Sequence, residues 1–252
     1  QTINGLLAET YLVTVTDANG ITVVLEAEVT NPAHLSVSAS SENIDCYGAN
    51  NGSANAQFTG GTGTVNYYWS TGAQGETIEN LAPGIYEISV VDQNQCVSTN
   101  LVQVAEPEQL VVNADGENVN CFEGSDGSVS ASFSGGTGDV EYLWSTGASS
   151  SIIENLPTGN YEVTATDENG CTASMTYEIT QPEELQISLS AENVDCFEGE
   201  SGSATASFTG GTGTVEYNWS NGAQGETVEN LAAGIYEVTA TDQNGCTKTN
   251  SI

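Results

Sequence analysis

Residues 60–96 read GGTGTVNYYWSTGAQGETIENLAPGIYEISVVDQNQC, and residues 210–246 read GGTGTVEYNWSNGAQGETVENLAAGIYEVTATDQNGC. A third version, GGTGDVEYLWSTGASSSIIENLPTGNYEVTATDENGC, occupies residues 135–171. In that copy Val140, Tyr142 and Trp144 alternate with Glu141 and Leu143. Val65, Tyr67, Trp69 and Val215, Tyr217, Trp219 repeat the first set. The intervening residues change freely: Asn66 and Tyr68, Glu141 and Leu143, Glu216 and Asn218. A period of two with one constrained face predicts a half-buried strand with the tryptophan in the core.

The same spacing extends outward. Trp69, Trp144 and Trp219 are 75 residues apart, as are Cys46, Cys121 and Cys196, and Cys96, Cys171 and Cys246. Tyr11, Tyr86, Tyr161 and Tyr236 follow the same period with no insertion. Internal repeats of this kind decide domain organisation. The chain reads as the C-terminal fragment of a preceding repeat at 1–33, full repeats at 34–108 and 109–183, and a repeat at 184–252 lacking the end of its last strand. Both ends fall inside a repeat, so a longer array is the simplest expectation. A donor-strand polymer is the sharper alternative.

Strand signals dominate. Punctuation falls at GGTG, STGA, LPTG and DENG, which is turn chemistry. The expected fold is all-β, a tandem array of immunoglobulin-like β-sandwich repeats of 75 residues. Leu81–Tyr86 and Leu156–Tyr161 fit a tyrosine corner, in which a tyrosine hydroxyl ties back to the backbone. The six strands expected per repeat would put the end of the first strand and the last hairpin at one pole. They would also bring both termini to one pole. A short seventh strand in the TGAQGE region would reverse this.

Composition excludes several functions. The 252 residues hold 34 Asp+Glu against one Lys+Arg, a formal net charge of −33. Lys248 alone cannot neutralise a nucleic-acid backbone, so no nucleic-acid partner is expected. No apolar run of 18 residues exists, and no membrane insertion is expected. With no Arg and only His34, phosphate clamps and histidine triads are not expected. Nothing singles out a catalytic pair among the carboxylates, so no enzyme is expected. Ten Tyr, five Phe and three Trp, regularly placed, argue against a disordered acidic tail.

Six cysteines without CxxC spacing favour disulfides over zinc. Two schemes respect the repeat. Pairing within copies gives Cys46–Cys96, Cys121–Cys171 and Cys196–Cys246. Pairing between neighbours gives Cys96–Cys121 and Cys171–Cys196. Ile21 stands where the latter scheme would need a partner for Cys46, so pairing within copies is favoured. Each bridge would then close a loop worth on the order of 4 kcal/mol in the chain-entropy model. Disulfides imply an oxidising compartment, outside the cell or at its surface.

The combined pattern Cys-x-Gly/Glu, Gly-Ser, Gly-Gly-Thr-Gly, Tyr-x-Trp-Ser-x-Gly, Asn-Leu-x-x-Gly-x-Tyr and Thr-Asp-x-Asn-Gly-Cys resembles the SprB-type repeat of bacterial gliding-motility adhesins. It covers all three copies and, weakly, the fragment. The resemblance implies a very long cell-surface protein, exported by type IX secretion and built from tandem immunoglobulin-like modules. Its partners would be further copies of the repeat and neighbouring chains in a filament. An extracellular surface or polysaccharide would be met by regions outside residues 1–252.

Asp17, Asp92, Asp167 and Asp242 begin Asp-x-Asn hairpin loops, and an Asx turn is the expected role. The alternative is calcium, drawn also to Asp45, Asp195, Glu123 and Glu198. No EF-hand spacing occurs, and no other cofactor is implied. The glycine-rich Gly60–Gly63 lacks a following Gly-Lys-Ser/Thr and reads as a turn. His34 is expected at the surface. A glycan-binding module, using outward aromatic residues such as Tyr68, is the alternative function.

Overall fold

The computed structural model describes residues 2–252. Among the described residues all regular structure is β. The chain divides into two compact units, Gln1–Pro107 and Glu108–Ile252.

The first unit opens with a hairpin, β1 (Thr10–Thr16) and β2 (Thr22–Glu28). There follow β3 (Ser36–Glu42), β4 (Gly52–Thr59), β5 (Asn66–Trp69), β6 (Thr77–Leu81), β7 (Gly84–Val91) and β8 (Val97–Val104). These form two antiparallel sheets, in the orders β3-β4-β6 and β5-β7-β8. They enclose a core that includes Trp69, Ile88, Val90 and Val104.

The hairpin repeats the register of β7 and β8. Tyr11 faces Ala27 as Tyr86 faces Val102, and Thr16 faces Thr22 as Val91 faces Val97. Among the described residues, no second sheet covers its apolar side chains. Val13 and Val15 are 44% and 57% exposed, whereas the equivalent Ile88 and Val90 are at 0%.

The second unit holds two such sandwiches. The first comprises β9 (Val111–Glu117), β10 (Gly127–Ser134), β11 (Val140–Trp144), β12 (Ile152–Leu156), β13 (Gly159–Asp167) and β14 (Thr172–Ile179). The other comprises β15 (Gln186–Glu192), β16 (Gly202–Thr209), β17 (Glu216–Trp219), β18 (Thr227–Leu231), β19 (Glu237–Thr241) and β20 (Thr247–Ser251). The sheet orders are again first-second-fourth and third-fifth-sixth strand. Each sandwich closes around its own tryptophan, Trp144 or Trp219. The alternation on β11 matches the sequence pattern, with Glu141 and Leu143 exposed and Trp144 buried. No seventh strand forms in the turn after Trp219 among the described residues; only a single bridge, Asn218 to Gln224, appears there.

Counting six strands nevertheless misplaces the poles. Strand β11 starts opposite Asp167 at one end of β13 and stops with Trp144 opposite Val163, halfway along. The chain then crosses to the other sheet. Strand β12 resumes with Ile152 opposite Ser130 and finishes with Leu156 opposite Gly127. The two short strands together make one traverse. Trp144 sits at the switch, where its indole N–H donates to the Ser150 carbonyl at 2.8 Å. Each sandwich is therefore crossed five times, and the chain enters and leaves at opposite poles. The sequence-based expectation of both termini at one pole is corrected on this point.

Hydrogen bonds mark the poles. At the entry pole, Gly136 N–H donates to Glu108 O, and Thr137 N–H donates to Asp167 Oδ2, both at 2.9 Å. At the exit pole, Thr180 N–H donates to Asn118 Oδ1 at 2.8 Å, and Glu123 N–H to Gln181 Oε1 at 2.8 Å. The loop between β9 and β10 thus lies with the end of β14, and the β13–β14 hairpin lies with the start of β9.

Gly60 has φ 73° because the chain must turn tightly over the start of β3. A Cβ there would stand 2.1 Å from the His34 carbonyl oxygen. Gly135 and Gly210 meet Gln109 and Glu184 in the same way. The GGTG motif is thus a packed turn, and only glycine fits.

Candidate functional site

The aromatic positions take two roles. Trp69, Trp144 and Trp219 are buried. Tyr161 is buried in its sandwich, while Tyr86 and Tyr236 are partly buried against theirs. Each hydroxyl donates four residues back: Tyr86 to Ala82 O at 2.9 Å, Tyr161 to Pro157 O at 2.9 Å and Tyr236 to Ala232 O at 3.1 Å. Tyr11 makes the same bond to Leu7 O at 3.0 Å without a core beneath it. The corner is therefore locally encoded. It fixes the direction in which the fifth strand leaves the exit pole.

Two asparagine sets escape the motif reading. Asn80, Asn155 and Asn230 have φ of 57°, 58° and 56°. Asn155 is the extra residue where the β10–β12 register shifts between Gly127 and Ser128. It is a β-bulge residue in the left-handed region, which asparagine tolerates. Gly5 fills the same place in the fragment, with φ 75°. Asn118 caps the chain as it leaves β14, and Asn43 does so for Ala105 N–H at 2.9 Å. Both sets recur at the 75-residue period, and that recurrence was the available signal.

Three of the hairpin aspartates, Asp92, Asp167 and Asp242, are buried, and their oxygens are engaged. Asp167 Oδ1 accepts from Asn169 N–H at 3.0 Å and Cys171 N–H at 2.9 Å, while Oδ2 accepts from Thr137 N–H. Asp92 and Asp242 repeat the arrangement. Burial pushes the Asp92 carboxyl up. The amide hydrogen bonds from Cys96, Thr62 and Asn94 outweigh it and hold the group below the usual aspartate value. These carboxylates tie the cysteine hairpin to the GGTG turn. Asp17 keeps only the local part, from Asn19 and Ile21 N–H. Among the described residues no group of three or more His, Cys, Asp or Glu is placed to hold a metal ion.

The cysteines depart from the expected pairing. Cys121 bonds Cys246, with an S–S distance of 2.06 Å and Cα atoms 5.6 Å apart. This joins the exit pole of one sandwich to the entry pole of the next. It overturns Cys121–Cys171 and Cys196–Cys246, and equally the neighbour scheme Cys96–Cys121. The physical reason is the pole assignment. Strand β13 is nine residues long and separates the two cysteine-bearing ends of its sandwich. At the rise of a strand that is roughly 27 Å, whereas a disulfide needs Cα atoms within about 7 Å. Beside the bridge, Asn244 Nδ2 donates to the Asn120 carbonyl at 3.0 Å. Cys46 and Cys171 are half-cystines too. Cys96 and Cys196 are free and exposed.

One concavity of about 760 Å³ lies on the last sandwich, lined by residues that include Phe208, Glu216, Tyr217, Asn218 and Glu226. Tyr217 is buried, and burial followed by the nearby Glu226 carboxylate raises its pKa. Phe208 is the ring it offers to solvent. The lone cation, Lys248, pairs with Glu184 at 2.7 Å and holds that carboxyl low.

These features define an all-β protein of tandem immunoglobulin-like modules, with a disulfide across the module joint in the second unit. The SprB repeat family model matches residues 38–74, 113–149 and 188–224. No curated protein sequence matches the chain. Among solved structures, the chain is similar to Sidekick-1 immunoglobulin domains 1–5, at 12% identity and TM-score 0.42, covering 97% of this chain and 65% of that one. It is also similar to titin domains I67–I69, at 12% identity and TM-score 0.42, covering 88% of this chain and 98% of that one.

Proposed function

We propose that the chain is a non-catalytic stalk segment of a very long extracellular adhesin or surface filament. Its modules carry no chemistry of their own and hold a distant functional region away from the cell. The observation that carries this reading is the Cys121–Cys246 bridge across a module joint. A bridge within a module would stabilise that module alone. A bridge across the joint resists bending and separation of neighbours, which a load-bearing array requires and an isolated binding domain does not. Within the second unit, the proline-bearing joint Gln181-Pro182-Glu183 is too short to act as a flexible linker. The charge of −33 keeps parallel chains soluble and apart. The SprB resemblance adds export by type IX secretion and a place in gliding motility to this proposal.

Electron microscopy of native cell-surface material, labelled with antibody against residues 34–252, tests the reading. Label spaced along thin filaments is the expected result. Label confined to the cell interior would overturn it. The concavity beside Phe208 favours a second reading, recognition of a glycan chain. Retention of the purified chain on a polysaccharide column, abolished by Phe208→Ala, would favour that reading instead.

A further inference from the structure

The concavity of the last sandwich lies along β17, the edge of its sheet opposite β20. Its lining is only partly repeated elsewhere. Phe208 and Tyr217 recur as Phe133 and Tyr142 in the middle sandwich, but Gln224 and Glu226 stand where that sandwich has Ser149 and Ser151. Glu216 recurs as Glu141 there and is replaced by Asn66 in the first sandwich. Only the last sandwich therefore holds both carboxylates, and no cationic group lines the concavity. The one lysine of the chain, Lys248, is paired with Glu184.

Tyr217 supplies a second observation. In the first sandwich the equivalent Tyr67 hydroxyl donates to Glu76 Oε1 at 3.2 Å. Tyr217 is only 8% exposed, and Glu226 acts on it through charge without a hydrogen bond. Its hydroxyl has no partner among the described residues. No fully enclosed side-chain oxygen or nitrogen there lacks a partner, so this hydroxyl opens into the concavity that Tyr217 lines. A tyrosine buried this deeply usually has its hydroxyl bonded, and here the room for a partner is the concavity.

We propose that this concavity binds the ammonium group of an alkylamine. Glu216 and Glu226 supply the opposite charge, and the Tyr217 hydroxyl accepts one ammonium N–H. The exposed ring of Phe208 takes the cation or its methylenes. A volume of about 760 Å³ suits an organic ligand rather than a bare ion. The same ammonium chemistry is presented by a free polyamine and by a lysine side chain, and the chain's charge of −33 attracts either. The inference goes beyond the stalk reading and stands without it. It competes with the glycan reading for the same concavity, since a neutral sugar does not need the carboxylates.

The test is amide NMR of the full chain at about 0.15 M salt, where diffuse attraction is screened. Spermidine and Nα-acetyl-lysine amide are titrated separately. Saturable shifts at the Gln224, Gly225 and Glu226 amides are expected, with Ser149, Ser150 and Ser151 unmoved. Tighter binding of spermidine would assign a free polyamine, and tighter binding of the lysine derivative would assign a protein side chain. Glu226→Ser introduces the residue that the middle sandwich carries at this place without loss of its fold. It should weaken binding about ten-fold, the size of one hydrogen bond to a charged group. Tyr217→Phe keeps the ring and should weaken binding several-fold. Shifts that rise linearly and equally in both sandwiches would show diffuse counterion attraction and overturn the proposal. Undiminished binding by Glu226→Ser would overturn it too, as would the absence of shifts with either amine. Shifts from neutral maltohexaose alone would overturn it in favour of the glycan reading. None of these results bears on where the native protein is displayed, so failure here is distinct from failure of the stalk reading.

Discussion

Cys121 and Cys246 stand 125 residues apart in sequence and 5.6 Å apart at Cα. Every peptide bond between them lies inside a covalent loop that spans one whole joint. A single backbone cut in that loop leaves both halves attached. A glutamate-specific protease acting at one site between these cysteines, for example after Glu141 or Glu162, should therefore leave an undivided band on a non-reducing gel. The same sample should divide on reduction. Separation without reductant after such a cut would show that the joint is not bridged.

Asn155 occupies the bulge opposite Gly127 with φ 58°. A branched side chain in the left-handed region clashes with its own backbone, at a cost of about 1–2 kcal/mol. Asn155→Val should lower the stability of its sandwich by about that amount. Asn155→Gly should be tolerated, as the Gly5 equivalent indicates. Urea unfolding followed by tryptophan fluorescence measures both. Equal effects from the two variants would remove the backbone explanation.

The Tyr161 hydroxyl donates to Pro157 O, and the ring packs in the core. Tyr161→Phe keeps the ring and removes the bond, so a loss of about 1 kcal/mol is expected. Tyr11→Phe removes the same bond where no core lies beneath. It should leave the unfolding midpoint of the sandwiches unchanged. A shift in that midpoint from Tyr11→Phe would contradict the local character of the corner.

Asp92 gives a pH dependence whose sign can be worked out. Its folded pKa is lowered, because the amides of Cys96, Thr62 and Asn94 outweigh the upward push of burial. Its contribution to stability is thus complete above the unfolded value near about 4. It is lost as pH falls through the folded pKa. The charge of −33 works the other way, since protonating surface carboxylates relieves repulsion. The comparison with Asp92→Asn separates the two. The difference in stability between the two proteins should shrink below about pH 4. The Thr62 and Cys96 amide resonances should titrate in the same range in the parent chain. A difference that grows on acidification would reverse the assignment.

The strands, the buried tryptophans and the tyrosine corner were legible because each depends on a short stretch repeated at one spacing. Val140, Tyr142 and Trp144 needed nothing beyond their own alternation. The cysteine pairing was not legible, because it depends on how far β11 runs before the chain changes sheet. Nothing in Tyr142-Leu143-Trp144-Ser145 announces that the strand ends halfway along β13. Yet that half-traverse sends Cys121 and Cys171 to opposite poles. Ile21, which argued for pairing within copies, does not bear on the observed register. In that register its place would pair with a cysteine 125 residues earlier, not with Cys46. Asn155 was visible as a repeated residue but not as a bulge, since β10 supplies the other half of that feature.

The bridge also sets how the two sandwiches of the second unit unfold. Each has its own core, around Trp144 and around Trp219, so each can fold without the bond. With the bond in place, unfolding either one leaves a closed loop rather than a free chain. Closing a loop of this size restricts the unfolded state by on the order of 4–5 kcal/mol in the chain-entropy model. The double variant Cys121→Ser with Cys246→Ser should therefore stay folded at room temperature, with its unfolding midpoint lowered by several degrees. The effect should spread over both sandwiches, because either one unfolding alone feels the same closure. Hydrogen exchange at Val163 and Val238, buried on β13 and β19, reads the two separately. Loss of protection at both positions is the expected outcome. Loss at only one would mean that the bridge stabilises a single module and that the joint carries no load.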